Sequence, residues 1–256
     1  MKTKIKIGLL GQGEFFEIIK NGLSEKFIID DEEPNLWIVA NYGKKVSQNV
    51  LNQYPNRFLN AHPSLLPKLK GATPIQTAIM KNMKFTGFTI IVMDEKIDHG
   101  KMLAQEKIAI AKNDTCKTLT KKIARGATEN LSIIIPLYLS GKIKAIQQNH
   151  HLETWTKKIT DKDRIILPNE LLKNPSQAYA RTRALFPKPK AYLMLGDKRL
   201  IIHKAEMRQN KFCPLIVQLE GKKAIKWQEF LRIEFSIYNS QFTLNLQCFN
   251  VTNRNV

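Results

Sequence analysis

Apolar residues in the first half of the chain occur in short blocks that alternate with segments of helical periodicity. Residues 4–10 alternate basic and apolar side chains and then become wholly apolar, as a strand entering a sheet does. After a glycine turn at residues 11–13, the apolar positions from Glu14 to Leu23 recur at helical spacing. The chain therefore begins with a strand, a turn and a helix.

The same alternation continues to about residue 145 and predicts an α/β fold with one open sheet. The run 85–93 is apolar and β-branched, which indicates a strand buried on both faces. Pro74 suits the first turn of a helix, and Asp114–Thr115 can cap a long helical region that Pro136 kinks or interrupts. The predicted strands are 27–29, 35–40, 58–60, 85–93 and 102–110, and the predicted helices are 44–54, 74–82 and 114–139.

The pattern changes after residue 140. Residues 141–151 are polar and lack periodicity, which predicts a linker in this region. We place the domain linker at residues 146–154. The two predicted domains are therefore residues 1–145 and 155–256. In the second domain, short apolar runs separated by turns predict a small β-barrel-like module, with strands at 191–195, 198–207, 214–219 and 235–246.

The charge of the chain points to a class of partner. It has 41 lysines and arginines against 22 aspartates and glutamates, a formal net charge of +19. Residues 151–256 hold 19 basic and 9 acidic side chains, so this shorter part is the more densely basic one. A polyanion such as nucleic acid fits this balance. A lysine-rich composition, or a surface that favours solubility, is the alternative.

Cysteine usage and hydropathy narrow the class of protein. Cys116, Cys213 and Cys248 are scattered and lack C-x-x-C spacing, which disfavours a disulfide framework or structural zinc and suits a reducing compartment. The best apolar run, 131–139, is too short to span a membrane. The N-terminus enters strand-like residues directly, without the pattern of a signal or transit peptide. We expect a cytoplasmic protein that does not bind a membrane.

Candidate chemistry is concentrated in residues 60–72. Asn60 and His62 are two residues apart, so on a strand both side chains point to the same face. Prolines and a glycine fix the backbone that follows, and Asp98 comes after a later apolar run. A carboxylate favours the charged form of a neighbouring imidazole, which together with an amide offers two donors to a developing oxyanion. The carboxylate can also accept a proton from an attacking amine.

Two alternatives bear on this cluster. No serine or cysteine is paired with the histidine in a recognisable motif, so direct acyl transfer to an amine is favoured over a covalent acyl-enzyme. On spacing alone, a histidine near a proline-rich turn is more often structural, and that alternative stays open at this point. A metal site at His150, His151 and Glu153 is disfavoured because adjacent histidines on a strand point to opposite sides.

Several short motifs occur in order along the chain. They are Val39-Ala40-Asn41-Tyr42-Gly43, Asn60-x-His62-Pro63-Ser64-Leu65-Leu66-Pro67, Gly71-Ala72-x-Pro74-Ile75, Thr86-Gly87-x-Thr89-Ile90 and Asp98-x-Gly100, followed by matches at residues 183–191 and 218–231. With these motifs the chain resembles the folate-dependent formyltransferase family, and within it most of all the members that act on methionyl-tRNA. The likeness covers about residues 3–232.

This resemblance implies a fold and a set of roles. The fold is a Rossmann-like formyltransferase catalytic domain with an open, mostly parallel sheet, followed by a small OB-like β-barrel. Asn60 would orient the formyl group of 10-formyltetrahydrofolate, His62 would stabilise the tetrahedral oxyanion, and Asp98 would keep His62 charged and help to deprotonate the amine. No metal is implied. The folate would contact Ser64, Leu65, Leu66, Pro67, Ala40, Tyr42 and Gly43. For the first four of these residues, a purely structural role in the loop is an equal alternative.

The resemblance also implies an acceptor, the α-amine of methionine on initiator tRNA, and a monomeric enzyme. The tRNA would be bound by Lys68, Lys70, Arg181, Arg183, Lys188, Lys222 and Lys223. The alternatives are a formyltransferase for an amino sugar nucleotide or another small amine, a hydrolase that releases formate, and a catalytically weakened RNA-binding relative. The hydrolase would more often carry a regulatory domain ahead of the catalytic one.

Four departures from the family pattern stand out. The chain is shorter than its relatives in two places, between Leu23 and Asn35 and between Met207 and Pro214. In the first of these places, the relatives have a further strand and helix with a loop that enters the tRNA. Lys70 stands where relatives usually have arginine, which keeps the charge but loses the bidentate fork. His99 replaces a small hydroxyl residue beside Asp98.

Overall fold

The computed structural model describes residues 4–234, which form two compact units. The first comprises the described residues up to Ala78 together with Met83–Ala111 and Thr118–Lys158, and the second comprises Ile79–Asn82, Lys112–Lys117 and the described residues from Ile159 onwards. The predicted strand at 235–246 lies outside the described residues.

The described strands are, in chain order, β1 (Lys6–Gly11), β2 (Ile28–Ile29), β3 (Leu36–Ala40), β4 (Phe58–His62), β5 (Lys70–Gly71), β6 (Phe85–Val92), β7 (Met102–Ala109), β8 (Trp155–Thr156), β9 (Ala191–Leu195), β10 (Lys198–Arg208), β11 (Lys211–Leu219) and β12 (Ile225–Lys226). The helices are α1 (Gly13–Ser24), α2 (Gln48–Gln53), α3 (Pro74–Met80), α4 (Cys116–Leu139), α5 (Asp161–Arg164), α6 (Pro168–Lys173), α7 (Pro175–Ala184) and α8 (Trp227–Glu234).

The first unit is built on a six-stranded sheet in the order β2-β1-β3-β4-β6-β7. The pairings β1–β2, β1–β3 and β3–β4 are parallel, and β4–β6 and β6–β7 are antiparallel. Strand β6 is buried from Thr86 to Val92 because it is an interior strand of this sheet. The prediction of an open, mostly parallel α/β sheet is therefore confirmed. Its central strand, β4, ends at His62 and so brings the residue 60–72 motif to the middle of the sheet.

Side-chain hydrogen bonds hold the shortened segment between α1 and β3 against β1. Strand β2 pairs with β1 over only two residues. The Asp31 carboxylate then accepts a hydrogen bond from the Leu9 N–H at 2.9 Å, and the Asn35 side chain accepts one from the Lys6 N–H at 2.8 Å. These side chains satisfy two N–H groups of β1: that of Leu9, which lies beyond the registered pairs with β2, and that of Lys6, which lies beyond those with β3.

Two predicted helices differ in detail from the observed ones. The helix predicted for 44–54 begins only at Gln48, because Ser47 has an extended backbone and caps the helix, with its side chain accepting a hydrogen bond from the Val50 N–H. The predicted interruption at Pro136 does not occur, since α4 continues through it to Leu139. A proline removes one backbone hydrogen bond, and the buried face that α4 presents before it, up to Ile135, stabilises the helix.

The second unit contains a four-stranded antiparallel sheet in the order β12-β11-β10-β9. The contraction between Met207 and Pro214 is a β10–β11 hairpin closed by Gln209 and Asn210, both with positive φ, as tight hairpin turns require. The buried core of this unit includes Leu200, Phe212 and Phe230. None of the helices in residues 4–234 combines the length and the hydropathy that a membrane span needs.

Candidate active site

The three predicted catalytic side chains meet at the end of β4. The His62 Nδ1 atom lies 3.3 Å from the Asp98 Oδ1 atom, and the Asn60 Nδ2 atom lies 3.4 Å from the same oxygen. The other carboxylate oxygen of Asp98 accepts a hydrogen bond from the Gly71 N–H at 2.8 Å. An amide, an imidazole and a carboxylate that are up to 38 residues apart in sequence therefore form one polar cluster.

The cluster is shielded from solvent, which strengthens its electrostatic interactions. The side chains of His62 and Asp98 are only 6% and 9% exposed. Burial by itself would raise the pKa of Asp98. The charge and hydrogen bond of His62, the Gly71 N–H and the charge of Lys70 outweigh burial and hold the pKa of Asp98 below its ordinary value. Asp98 is therefore an anion placed to orient His62.

The second nitrogen of His62, Nε2, lies 3.1 Å from the carbonyl oxygen of Leu69. With Nδ1 facing the carboxylate, this geometry makes Nε2 an N–H donor. Leu69 has a positive φ of 59°, which turns its carbonyl into the site. The Nε2–H is the group that a developing oxyanion could take over.

The loop after β4, residues Ser64–Pro67, is fixed by hydrogen bonds that centre on Thr89. The Thr89 hydroxyl donates to the Ser64 carbonyl at 2.7 Å and accepts from the Leu66 N–H at 3.0 Å. Gln105 donates to the Leu66 carbonyl at 2.8 Å and to the Thr89 hydroxyl at 2.9 Å. Ser64 and Leu66 are buried, and Leu65 and Pro67 are partly exposed. The loop is therefore preformed, and its accessible surface is largely apolar.

The other residues predicted to contact the folate, Ala40, Tyr42 and Gly43, lie at the end of β3, next to β4. Val39 pairs with Asn60, so Ala40 follows at the same edge of the parallel strands as the catalytic cluster. Tyr42 is partly buried against Val39 and Phe58, and Gly43 has a φ of +71°. These residues and the Ser64–Pro67 loop lie on neighbouring strands of one sheet.

Lys70 does not lie where a phosphate could reach it. Its side chain is 1% exposed, and its Nζ atom is 2.7 Å from the Glu153 carboxylate and 3.4 Å from the His150 Nδ1 atom. Strand β5, which carries Lys70, pairs with β8. Lys70 is thus a buried cation that contributes positive charge near Asp98, and we leave it out of the RNA-binding set.

The other predicted basic residues divide into buried and exposed ones. Arg183 is buried, donates to the Asp114 carbonyl at 2.8 Å and stacks over the Tyr179 ring, and burial lowers its pKa. Arg181 is partly buried and its guanidinium is paired with the Glu170 carboxylate at 2.6 Å, so we leave it out of the RNA-binding set. Arg183 is therefore also left out of the RNA-binding set, because it is in the interior. The exposed members are Lys68, Lys188, Lys222 and Lys223.

His150 and His151 lie in a 3₁₀ helix, His150–Leu152, within the segment predicted as a linker. The His150 ring stacks on the His99 ring with a centroid distance of 4.0 Å and an angle of 3°. His99 Nδ1 lies 2.6 Å from an Asp94 carboxylate oxygen, so His99 points away from the Asp98 cluster. Within the described residues, no group of three or more histidines, cysteines and carboxylates could hold a metal ion.

Four residues that contact the site or its supporting loops lie outside the sequence motifs. Gln105 holds the Ser64–Pro67 loop, Glu153 and His150 contact the Lys70 ammonium, and Gln148 donates to the backbone around His99. Gln148 and Glu153 lie in the segment that was predicted as a linker. A polar residue that is buried in a polar, unpatterned segment leaves no periodic signal.

Comparison with known proteins gives a consistent set of relatives. A family model described as "Formyl transferase" matches residues 25–135. Methionyl-tRNA formyltransferases of Dictyoglomus turgidum and Dictyoglomus thermophilum are 35% and 34% identical, over 80% and 85% of this chain and 61% and 67% of their own length. That of Bacillus mycoides is 34% identical over 78% of this chain and 71% of its own length. The chain thus spans about three fifths to two thirds of the length of the first of these relatives.

Solved structures share the fold at lower identity. HypX from Aquifex aeolicus in complex with tetrahydrofolic acid has a TM-score of 0.71 at 15% identity, over 90% of this chain and 47% of that one. A methionyl-tRNA formyltransferase from Clostridium thermocellum has a TM-score of 0.63 at 17% identity, over 87% and 99% of the two chains. A sugar N-formyltransferase from a Shewanella species has a TM-score of 0.63 at 16% identity, over 80% and 99%.

Proposed function

The chain belongs to the formyl transferase family, and from that premise we propose that it transfers the formyl group of 10-formyltetrahydrofolate to an amine. The observation that carries the proposal is the cluster of Asn60, His62 and Asp98, in which the amide and the imidazole each lie within 3.4 Å of one Asp98 carboxylate oxygen. It offers two N–H donors and one anion in a site shielded from water. That combination suits direct acyl transfer, which needs an oxyanion stabilised and a proton removed.

In this mechanism the amine nitrogen of the acceptor attacks the formyl carbon. The Asn60 amide and the His62 Nε2–H donate to the oxygen on which negative charge develops, and His62 exchanges the Leu69 carbonyl for it. Asp98 holds His62 through Nδ1 and accepts the proton that the amine loses, through a water molecule. The bond between the formyl carbon and the folate nitrogen then breaks, and that nitrogen takes up a proton.

The residues around the cluster fit a folate as formyl donor. Leu65 and Pro67 present partly exposed apolar surface on a loop whose backbone groups already have partners. Ala40, Tyr42 and Gly43 lie at the neighbouring strand end, so a flat heterocycle would meet preformed surface on both strands. A relative of this fold is described in complex with tetrahydrofolic acid.

We propose that the acceptor is the α-amine of methionine on initiator tRNA. We also propose that the enzyme is a cytoplasmic monomer. The support is the identity to methionyl-tRNA formyltransferases and the excess of positive charge after residue 150. Lys68, Lys188, Lys222 and Lys223 are exposed and form the proposed RNA-binding set. We also propose that the antiparallel sheet of β9–β12 is part of an OB-like, RNA-binding barrel.

A small amine such as an amino sugar nucleotide is the second candidate acceptor. The passage from α1 to β3 is only a two-residue strand and an acidic turn, so it lacks a loop that could enter a tRNA. The fold is also shared with a sugar N-formyltransferase. This acceptor keeps the same chemistry at Asn60, His62 and Asp98.

One assay separates these acceptors. The purified chain is incubated with 10-formyltetrahydrofolate and with methionyl-tRNA, or with amino sugar nucleotides, and formylated product is measured. The Asp98→Asn variant should lose about 100-fold or more in turnover with an unchanged circular dichroism spectrum, because the carboxylate is lost while the shape is kept. Turnover of only the small amines would overturn the tRNA proposal. RNA binding without turnover of any acceptor would overturn the proposal that the chain is a formyltransferase. A fully active Asp98→Asn variant would overturn the proposed mechanism.

A further inference from the structure

We propose that Gln148 is a positioning residue that holds the backbone of Asp98 in its working conformation, an inference that rests on the catalytic role proposed for Asp98. Gln148 is 3% exposed. Its Nε2 atom donates to the Asp98 carbonyl at 3.0 Å and to the Gly100 carbonyl at 2.8 Å. Because both partners are acceptors, the amide nitrogen must be the atom that faces them. One amide therefore bridges the two carbonyls on either side of His99.

The Asp98 backbone needs such support. Its φ is +51°, in the left-handed region, which aspartate enters more readily than most residues with a side chain but still at an energetic cost. Two residues later, a Cβ atom on Gly100 would come within 1.8 Å of the Val92 carbonyl oxygen, so the loop runs tightly against β6. A strained conformation persists only where its surroundings fix it. The hydrogen bond to the Asp98 carbonyl fixes the peptide plane from which the carboxylate projects.

The segment that carries Gln148 is anchored on both sides of it. Before it, Ile146 and Met102 exchange backbone hydrogen bonds of 2.7 and 2.8 Å, which bring this segment alongside the chain just after Gly100. After it, the His150 ring stacks on the His99 ring at 4.0 Å. The segment thus contacts the loop at three successive points, and Gln148 makes the contacts nearest to Asp98.

The Gln148 amide is not explained by packing alone. Its Oε1 atom is buried and has no hydrogen-bond partner among the described residues. A buried acceptor without a partner is unfavourable, and an apolar side chain of the same length would avoid it. The residue is therefore better explained by its N–H groups, which an apolar side chain lacks. Gln148→Met removes those donors while it keeps the length of the side chain.

The test compares Gln148→Met with Gln147→Met in the full chain. Gln147 is an exposed neighbour of the same type whose amide nitrogen lies 3.1 Å from the His150 Nε2 atom and, within the described part of the chain, makes no hydrogen bond to Asp98 or Gly100, so it controls for the substitution itself. Two quantities are measured: the kinetics of formyl transfer, and the titration of the Asp98 carboxyl carbon by ¹³C NMR, assigned with Asp98→Asn. Gln148→Asn, which keeps an amide on a shorter side chain, replaces Gln148→Met if the latter does not fold by circular dichroism.

We expect Gln148→Met to lower kcat by about 10- to 100-fold with KM for the formyl donor changed less than about twofold, because a misplaced catalytic group affects the transition state. We also expect the pKa of Asp98 to rise toward the ordinary aspartate value, since the carboxylate would lose its alignment with His62 and Gly71. Gln147→Met should change neither quantity. A Gln148→Met variant with unchanged kcat and an unchanged Asp98 titration would overturn the inference.

The NMR measurement separates this inference from the proposed function. If the unsubstituted chain formylates no acceptor, the proposed function fails, and the Asp98 titration alone decides whether Gln148 positions the carboxylate. If it formylates an acceptor and the titration does not respond to Gln148→Met, the positioning inference fails while the proposed function stands.

Discussion

Asp98 is the residue on which the site depends, because three different groups converge on its two oxygens. Those contacts offset the effect of burial and keep the carboxylate charged. The same contacts couple the charge of Asp98 to folding, since the unfolded chain lacks them.

A prediction about pH follows from this coupling. The pKa of Asp98 is lower in the folded chain than in the unfolded one. The contribution of the ionised Asp98 to stability is therefore complete above the ordinary aspartate pKa of about 4. That contribution is lost as the pH falls through the lower pKa of the folded chain. We expect the difference in unfolding free energy between the unsubstituted chain and Asp98→Asn to shrink below about pH 4. Urea unfolding at a series of pH values measures it. A difference that stays constant down to about pH 2 would contradict the assignment.

Lys70 and Glu153 form an ion pair with unequal burial, and this asymmetry makes a second prediction. Lys70 is 1% exposed and Glu153 is 38% exposed. Glu153→Ala leaves a buried ammonium without its carboxylate, whereas Lys70→Met leaves a carboxylate that water can solvate. Glu153→Ala should therefore lower the urea midpoint more than Lys70→Met does. The reverse order would indicate that the interior around Lys70 tolerates an unpaired charge.

At the scale of elements, β6 supports the loop that follows β4 through a single hydroxyl. Thr89 joins Ser64, Leu66 and Gln105. Thr86 lies on the same strand with similar burial, but its hydroxyl has no hydrogen-bond partner among the described residues. The two threonines are thus a matched pair that differ in hydrogen bonding.

Thr89→Val should lower the free energy of unfolding by about 2 to 3 kcal/mol, because it leaves buried backbone groups without partners. It should also raise KM for the formyl donor, since the Ser64–Pro67 loop would loosen. Thr86→Val should be neutral or slightly stabilising, because it removes a buried hydroxyl that has no partner. Calorimetry and donor saturation curves measure both effects. Equal destabilisation by the two substitutions would show that strand packing, and not the hydroxyl, supports the loop.

At the scale of the whole molecule, the net charge of +19 should govern the binding of RNA. The affinity for methionyl-tRNA should fall steeply with salt, with a slope of about 0.7 to 0.9 in log affinity against log salt for each phosphate contacted. Lys222→Gln combined with Lys223→Gln should reduce that slope by about 1 to 2.

Lys142→Gln combined with Lys144→Gln is the control for this double variant. It removes the same charge from two exposed positions outside the proposed RNA-binding set. Filter binding or fluorescence anisotropy over a range of salt concentrations measures the slopes. Identical slopes for the two double variants would show that only net charge matters, and an affinity insensitive to salt would point to a small-molecule acceptor.

Much of the fold was predictable from the sequence because its signals are local. The strands β1, β3, β4, β6 and β7 and the helix α1 follow from apolar periodicity, which each segment carries by itself. The Asn60–His62 pairing on one strand face is likewise a matter of spacing. The length of α2 was not predictable in this way, since its start is set by the Ser47 N-cap and not by apolar periodicity.

The sequence by itself determined the α/β sheet and the presence of an amide, an imidazole and a carboxylate in recognisable motifs. Only the tertiary structure decided what surrounds them: Lys70 as a buried cation, Thr89 and Gln105 as supports of the loop, and Gln148 beside Asp98. The physical reason is that these contacts join residues up to 83 positions apart, as Lys70 and Glu153 are. Partners at that distance are selected by packing and charge, which no periodic pattern in the chain records.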